Sequence, residues 1–244
     1  MKTINNQFYD DLKEEWYYRE DHPIALLRQE NKIRNPWILS VLENYFPGQK
    51  LKVLDIGCGG GFLTHELAKK HHVFGVDLST ESLKIAKAFD VTQSINYQKQ
   101  DAMQLEFEDK QFDAVFAMDL LEHVPHPEKV IQEAKRVLKK GGLFFFHTFN
   151  RNWLSYLLII KGVELFVPHA PKEMHVYSLF IKPKELKEML KNNNFQIEDL
   201  KGFGPKILSY GIVDLLWQKK VTSRFQFQFS SSCLTGYIGF AQAN

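Results

Sequence analysis

The sequence has little cysteine, no marked excess of charge and no long apolar run. Its two cysteines, Cys58 and Cys233, are too few for a disulfide framework and are consistent with a reducing compartment. The 31 basic and 29 acidic residues give a formal net charge of +2, so we expect no nucleic acid partner. The first seven residues are polar, which predicts no secretory signal. The longest apolar stretch, 153–160, is far below the ~20 residues of a membrane span, and we therefore expect a cytoplasmic protein.

Short apolar runs alternate with helical patterns along most of the 244 residues. An N-terminal helical cap is predicted for residues 1–50, with Pro47-Gly48 ending the helical spacing. The main domain, 51–244, begins with predicted strands at 51–56, 72–76, 95–99, 112–118 and 143–149, separated by predicted helices at 62–70, 79–88 and 127–138. This alternation predicts a parallel sheet with helices on both faces.

The alternation stops after Asn150. Residues 151–182 form an insertion rich in aromatics and proline, and a helix is predicted for 183–191. Residues 225–241 alternate apolar and polar side chains, which predicts a closing antiparallel pair of strands.

Four glycines stand within residues 57–61, between a predicted strand and a predicted helix. Such a loop lets the backbone approach a ligand and presents the free amides of a helix N-terminus. A dinucleotide fingerprint is disfavoured because its last glycine position is Phe62, and no Lys-Ser or Lys-Thr follows to make a phosphate-binding Walker loop. Asp77 ends the next predicted strand, where a carboxylate can accept both hydroxyls of a ribose. A plain turn and a helix cap remain the alternatives.

The segment Val-Leu-Asp-Ile-Gly-Cys-Gly-Gly-Gly at 53–61 resembles motif I of the class I S-adenosylmethionine-dependent methyltransferases. The strand at 112–116 and the Leu-Lys-Lys-Gly-Gly turn at 138–142 resemble later motifs of that superfamily. The resemblance implies a Rossmann-like α/β fold: a seven-stranded, mostly parallel sheet with helices on both faces and an antiparallel C-terminal strand. It also implies that S-adenosylmethionine is the cofactor.

A narrower resemblance is to the ubiquinone-biosynthesis O-methyltransferases. It is carried by Met-Asp-Leu-Leu-Glu-His-Val-Pro at 118–125, by Thr-Phe-Asn-Arg at 148–151, by Lys172, His175 and 180–186, and by Asn31 with Arg34. The chain departs from that family's usual residues at Lys32, Asp119 and Val176. The resemblance implies methylation of a phenolic hydroxyl on a polyprenyl catechol or demethylubiquinol. A class I methyltransferase for another small molecule is the alternative, and a non-catalytic binding module is disfavoured by the polar segments at 118–123 and 147–151.

The resemblance also implies roles for individual residues. Arg34, Gly57, Gly59, Asp77, Asp101 and Met118 would contact S-adenosylmethionine: Arg34 its carboxylate, Asp77 its ribose, and Asp101 and Met118 its adenine. Ionising a phenol with a pKa near 10 costs about 4 kcal/mol at pH 7. A general base or a metal can offset that cost, and the base candidates are His123, Glu122, His147 and His175.

Asp119, Glu122 and His123 stand at i, i+3 and i+4, which would bring them onto one face of a helix. Two carboxylates and an imidazole could hold a divalent cation, with Mg²⁺ favoured by the carboxylates. In the alternative, Asp119 only caps a turn, and Glu122 and His123 line the acceptor pocket without a metal.

Segment 152–167 is strongly apolar, with only Lys161 and Glu164 charged. It is either a core helix or a lid that docks on a membrane surface, where a lipid-tailed substrate resides. The expected partners are a small-molecule or lipid-tailed phenolic substrate and other quinone-biosynthesis enzymes. Peripheral contact with the inner membrane surface is expected through the same segment.

Overall fold

The computed structural model describes residues 10–171 and 174–244, so Lys172 lies outside the described residues. An eight-stranded sheet in the order β3-β2-β1-β4-β5-β8-β6-β7 forms its centre. The strands are β1 Lys52–Ile56, β2 His72–Asp77, β3 Asn96–Lys99, β4 Phe112–Met118, β5 Leu138–Phe149, β6 Phe195–Pro205, β7 Phe227–Ser230 and β8 Gly236–Ala243. The first five strands pair in parallel and the last three join antiparallel. The predicted α/β class is confirmed, and β6, in a segment where no strand was predicted, raises the number of strands from the predicted seven to eight.

Helices cover both faces of the sheet. Their bounds are α1 Glu15–Tyr18, α2 Ile24–Tyr45, α3 Phe62–Ala68, α4 Thr80–Ala88, α5 Pro127–Val137, α7 Pro183–Asn192 and α8 Tyr210–Gln218. Helix α6 consists of three successive stretches, Trp153–Ser155, Tyr156–Lys161 in π-helical geometry and Gly162–Phe166. No helix among the described residues is long and apolar enough to cross a membrane.

Two apolar cores, one on each face, explain why the central strands are apolar throughout. One core packs α2 and α3 against the sheet, and the other packs α5 and α7 against the opposite face. Phe144, Phe145 and Phe146 of β5 are fully buried because successive side chains enter opposite cores.

The end of the chain pairs differently from the sequence prediction. Strand β8 lies between β5 and β6, and β7 pairs with β6 at the sheet edge, so β7 and β8 do not form a pair with each other. Seven of the eight residues of β8 are buried, which suits a central strand, whereas β7 is partly exposed, as an edge strand can be. The Leu-Lys-Lys-Gly-Gly segment at 138–142, for which the resemblance implied a turn, lies inside β5, and the preceding helix stops at Val137.

Candidate active site

A first cavity of about 280 Å³ lies at the carboxyl ends of β1, β2 and β4. Ligands gather at this edge of such sheets because the strand-to-helix loops meet there. All six predicted cofactor-binding residues line this cavity: Arg34, Gly57, Gly59, Asp77, Asp101 and Met118. The fold therefore brings together residues that are spread over 84 positions of the chain (34 to 118).

The glycine loop is shaped both by its backbone angles and by its neighbours. Gly57 and Gly59 have φ of +72° and +51°, a region that side chains disfavour. A Cβ at Gly57 would lie 2.8 Å from Leu120 Cδ1, and a Cβ at Gly59 or Gly60 would lie 2.8 Å from ring atoms of Trp16. Part of the space that the glycines leave is thus occupied by the protein itself.

Asp77 connects the glycine loop to the turn after β2. Its Oδ2 accepts a hydrogen bond of 2.9 Å from the amide of Gly59, and its Oδ1 accepts one of 2.8 Å from the amide of Ser79. Burial raises the pKa of Asp77, while these amides favour its ionised form. Each carboxylate oxygen retains a second lone pair that a ligand hydroxyl can use.

A second cavity of about 370 Å³ lies between α2, α6 and α8. Most of its lining is apolar, and includes Ile24, Phe149, Leu158, Phe166, Ile212 and Phe227. Its charged or titratable side chains are Glu30, Asp119, His123 and His175. Leu27, Asp119 and His123 line both cavities, so the two spaces meet at these three residues.

Asp119 directly follows β4 in the left-handed conformation, with φ +55°. Its carboxylate binds the guanidinium of Arg34 and Nδ1 of His147. Burial alone would raise the pKa of Asp119, but Arg34 and His147 hold it well below its usual range. Glu30, whose carboxylate lies 3.6 Å from the same guanidinium, has its pKa raised well above normal by burial, and the charge of Asp119 adds to this shift.

The predicted metal ligands do not converge on one point. Residues Leu121–His123 form a short 3₁₀ turn rather than an α-helix, and Asp119 precedes this turn with a left-handed backbone, so the three residues do not share one helix face. Within the described residues, the close grouping of metal-ligand atoms is Glu30, Asp119 and His147. The cationic Arg34 contacts all three of these groups, at 3.6 Å from Glu30 and 3.3 Å from His147 Nδ1. The Arg34 guanidinium already supplies the positive charge between Glu30, Asp119 and His147, so this group of residues does not fit Mg²⁺.

Glu122 and His147 lie behind the cavity walls and line neither cavity. Glu122 Oε2 accepts a 2.7 Å hydrogen bond from the Thr148 hydroxyl, and burial, with the charge of Asp119 second, raises the pKa of Glu122 to about 8. His147 is 1% exposed, and its Nδ1 contacts Asp119 and Arg34, which line the cavity walls in its place. The structure thus places both residues outside the cavity lining, and a direct role on the acceptor stays a prediction for each.

His123 and His175 do face the second cavity, with their ring centroids 5.5 Å apart. Burial lowers the pKa of His123 to about 4 and that of His175 to about 3. Both imidazoles are therefore neutral near pH 7 and carry a lone pair that can accept a proton. His123 is the base candidate that also touches the first cavity.

Comparison with known proteins identifies the family. Residues 54–146 match the family model described as a methyltransferase domain. The chain is 36% identical over 197 residues to a ubiquinone biosynthesis O-methyltransferase of Coxiella burnetii, covering 80% of this chain and 82% of the relative. A relative of the same name from Paraburkholderia xenovorans is 36% identical over 200 residues, covering 80% and 84%. The chain belongs to the ubiquinone biosynthesis O-methyltransferase family.

Solved structures agree on the fold of this methyltransferase. The magnesium protoporphyrin IX methyltransferase of Synechocystis, crystallised with bound SAH, aligns with a TM-score of 0.60 at 18% identity, over 100% of this chain and 90% of that one. A SAM-dependent methyltransferase of Methanosarcina mazei aligns with a TM-score of 0.55 at 24% identity, over 83% and 96%.

The first cavity of the methyltransferase fits S-adenosylmethionine. Asn31 Oδ1 and Arg34 Nε are buried beside it and have no hydrogen-bond partner among the described residues, so both can serve the polar amino-acid end of the cofactor. Asp77 offers acceptors for ribose hydroxyls, and Met118 supplies an apolar wall. When bound, S-adenosylmethionine supplies an electrophilic methyl group.

Sequence reasoning missed Trp16 and Glu30, which line the first and second cavities respectively. Glu30 precedes Arg34 by four residues in α2, and this spacing was a usable signal for a buried pair. Trp16 stands more than forty residues ahead of the glycines that it contacts, and nothing in its local sequence indicates that contact.

Proposed function

We propose that this methyltransferase methylates a phenolic hydroxyl of a polyprenyl catechol or demethylubiquinol-type intermediate in ubiquinone biosynthesis. The observation that carries the proposal is that the cofactor cavity, the more polar of the two, meets an apolar cavity at Leu27, Asp119 and His123. A phenolic ring with an apolar tail matches a space whose polar groups cluster at one end. The names of the relatives support the same substrate class.

His123 is the general base in this proposal. Its neutral imidazole lies where the two cavities meet, so it can take the hydroxyl proton as the oxygen–methyl bond forms. Burial disfavours the resulting imidazolium, and the negative charge of Asp119 offsets part of that cost. Arg34 and His147 keep Asp119 ionised and fix its position.

A methyl-transfer assay with labelled donor tests the substrate class. We expect turnover of demethylated quinols and short-chain catechols. Turnover of a different small molecule, with none of any phenol, would favour the alternative of another class I small-molecule methyltransferase.

The role of His123 needs a separate comparison. His123→Gln should lower kcat by about 10²–10⁴-fold while the affinity for S-adenosylmethionine stays within a few-fold. His126→Gln is the matched control, because the His126 side chain is 55% exposed and, within 10–171 and 174–244, pairs only with Glu128. Equal kcat values for the two variants would remove His123 from the mechanism.

We also propose that the methyltransferase meets a membrane surface through segment 152–167 and the neighbouring α8. Both elements wall the apolar cavity, and Lys219 at the end of α8 lies over the ring of Phe166, 5.2 Å from its centroid. Large apolar side chains remain on their outer faces: Trp153 and Leu165 are 70% and 71% exposed, and Trp217 is 85% exposed. Their position beside the apolar cavity suits delivery of a lipid-tailed substrate.

The charges around α8 favour an anionic lipid surface. Residues 206–224 contain four basic residues and a single acidic one, Asp214. Asp214 is buried and accepts hydrogen bonds from Thr222 at 2.6 Å and from Arg224 Nε at 2.8 Å. Arg224 therefore compensates the charge of Asp214, and three exposed lysines remain to face lipid headgroups.

Vesicle flotation tests this contact without any methyl transfer. Vesicles of phosphatidylcholine mixed with phosphatidylglycerol should carry the protein, and Leu208→Ser should weaken binding about tenfold. Val91→Ser is the matched control, because Leu208 and Val91 are 93% and 90% exposed on different parts of the molecule. Equal flotation of both variants, or no flotation of the unmodified protein, would contradict the proposal.

A further inference from the structure

The N-terminal residues 10–18, here called the strap, lie across the glycine loop. Trp16 is 2% exposed and its ring stands directly on Gly59 and Gly60. Its ring centroid lies 5.8 Å from that of Phe62, the first residue of α3. Trp16 also lines the first cavity, so it forms part of the wall of the cofactor site.

Tyr17 attaches the strap to the far side of the same loop. Its hydroxyl donates to the carbonyl oxygen of Gly60 at 2.6 Å and lies 3.0 Å from Nδ1 of His65. Its ring stacks on Phe89, with centroids 3.9 Å apart and planes within 10° of each other. Through these contacts Tyr17 is bound both to the glycine loop and to α3.

The start of the strap binds the turn that follows Asp77. The Ser79 hydroxyl donates to the carboxylate of Asp10, and the Ser79 amide donates to Asp77 itself. Arg28 of α2 holds the strap from below by donating to the carbonyl oxygen of Trp16 at 2.7 Å. The strap is thus tied to both segments that Asp77 joins, the glycine loop and the turn at Ser79.

We propose that the strap completes the S-adenosylmethionine site, with Trp16 and Tyr17 as positioning residues that hold the glycine loop and slow cofactor release. The proposal rests on the cofactor named under the proposed function. It also gives a reason for Gly59 and Gly60, because a Cβ at either position would overlap Trp16. Opening the site on this side requires Tyr17 and Asp10 to leave their partners, so release should depend on those contacts.

The dissociation rate of S-adenosylhomocysteine, measured by stopped-flow mixing, tests the proposal without turnover. Tyr17→Phe keeps the stacked ring but removes both hydroxyl contacts, and we expect dissociation about tenfold faster. Tyr45→Phe is the matched control: its hydroxyl has one contact, 3.3 Å from Glu198, on an exposed part of the molecule. Trp16→Phe should also speed release, because a smaller ring covers less of the loop.

Limited trypsin digestion gives an independent readout. Lys13 is exposed within the strap, and Lys220 is exposed beyond α8. S-adenosylhomocysteine should slow cleavage after Lys13 and leave cleavage after Lys220 unchanged, and Tyr17→Phe should reduce that protection.

The two possible failures are distinguishable. If the unmodified protein binds S-adenosylhomocysteine, yet Tyr17→Phe and Trp16→Phe leave both release and protection unchanged, the strap proposal is wrong and the cofactor assignment stands. If the unmodified protein binds no S-adenosylhomocysteine, the cofactor assignment itself fails, and the strap proposal fails with it.

Discussion

Substitution of Glu122 distinguishes two roles for this residue. A catalytic or metal-binding carboxylate and a buried structural carboxyl predict opposite effects on methyl transfer. As a catalytic or metal-binding carboxylate it would be needed for turnover. In the structure it is 1% exposed, accepts a hydrogen bond from Thr148 and lines neither cavity. Glu122→Gln keeps the size of the side chain and an oxygen that can accept the Thr148 hydrogen bond, and it removes the titrating group.

The size of the effect follows from linkage between protonation and folding. Burial raises the pKa of Glu122 from 4.5 to about 8, so the folded protein retains a proton that the unfolded chain releases. The stabilising contribution is therefore fully present below pH 4.5 and is lost as the pH rises through about 8. At pH 7 the loss amounts to about 3 kcal/mol as an upper bound. Glu122→Gln should recover most of it and be more stable than the unmodified protein at pH 7.

Urea unfolding measured from about pH 5 to about pH 8 tests this expectation. Asp55, whose pKa burial also raises to about 8, contributes its own fall in stability, so the informative quantity is the difference between variant and unmodified protein. That difference should grow with pH, and Glu106→Gln, at an exposed position, should show none. Methyl transfer should persist in Glu122→Gln. Loss of turnover in a folded variant, or a difference that does not change with pH, would refute the reasoning.

Three further predictions concern the same region. Asp119→Asn leaves the buried Arg34 without its main partner and should cost about 3–5 kcal/mol in urea unfolding; an unchanged midpoint would contradict this. Asp77→Ala should weaken S-adenosylmethionine binding in calorimetric titration by about 1.5–3 kcal/mol for each lost charged hydrogen bond, and an unaltered affinity would remove its ribose role. The contribution of the buried His123 and His175 to stability should fall as the pH drops below 6.5 through about 4, because the unfolded chain takes up protons that these side chains resist, while Glu122 and Asp55 act in the opposite sense over that range. His175→Gln should reduce that fall, and an identical pH profile would contradict it.

The central strands of the parallel half were predictable because they are buried on both faces and read as apolar runs, whereas β3 at the edge is polar and has no buried residue. The predicted 112–118 agrees with β4 at Phe112–Met118, and the predicted 95–99 agrees with β3 at Asn96–Lys99 to one residue. Strand β6, Phe195–Pro205, gave no such signal, because it carries polar side chains and only three of its eleven residues are buried. Helix α8 was also missed; apolar residues cover its outer face as well as its inner one, so the pattern lacks a polar side.

The cofactor side of the site was predictable because its backbone conformation requires particular residue types, which are visible in the sequence. Gly57 and Asp77 belong to strand-to-helix turns whose geometry restricts the residue types, and the structure places both on the first cavity. The acceptor side depends on distant pairings instead. Glu30, Arg34 and His147 meet around Asp119 only because α2 crosses the ends of β4 and β5, and local sequence does not encode that crossing.

The central place of β8 has a consequence for biosynthesis. Ribosomes synthesise the chain from its N-terminus, so β5 and β6 emerge before the strand that separates them. Until β8 is made, the edge of β5, with its fully buried phenylalanines 144–146, has no neighbour on that side. An unpaired apolar edge readily pairs with other chains. The nascent methyltransferase is thus most prone to aggregate while residues 150–235 are being translated. That risk ends when β8 pairs with the edge of β5.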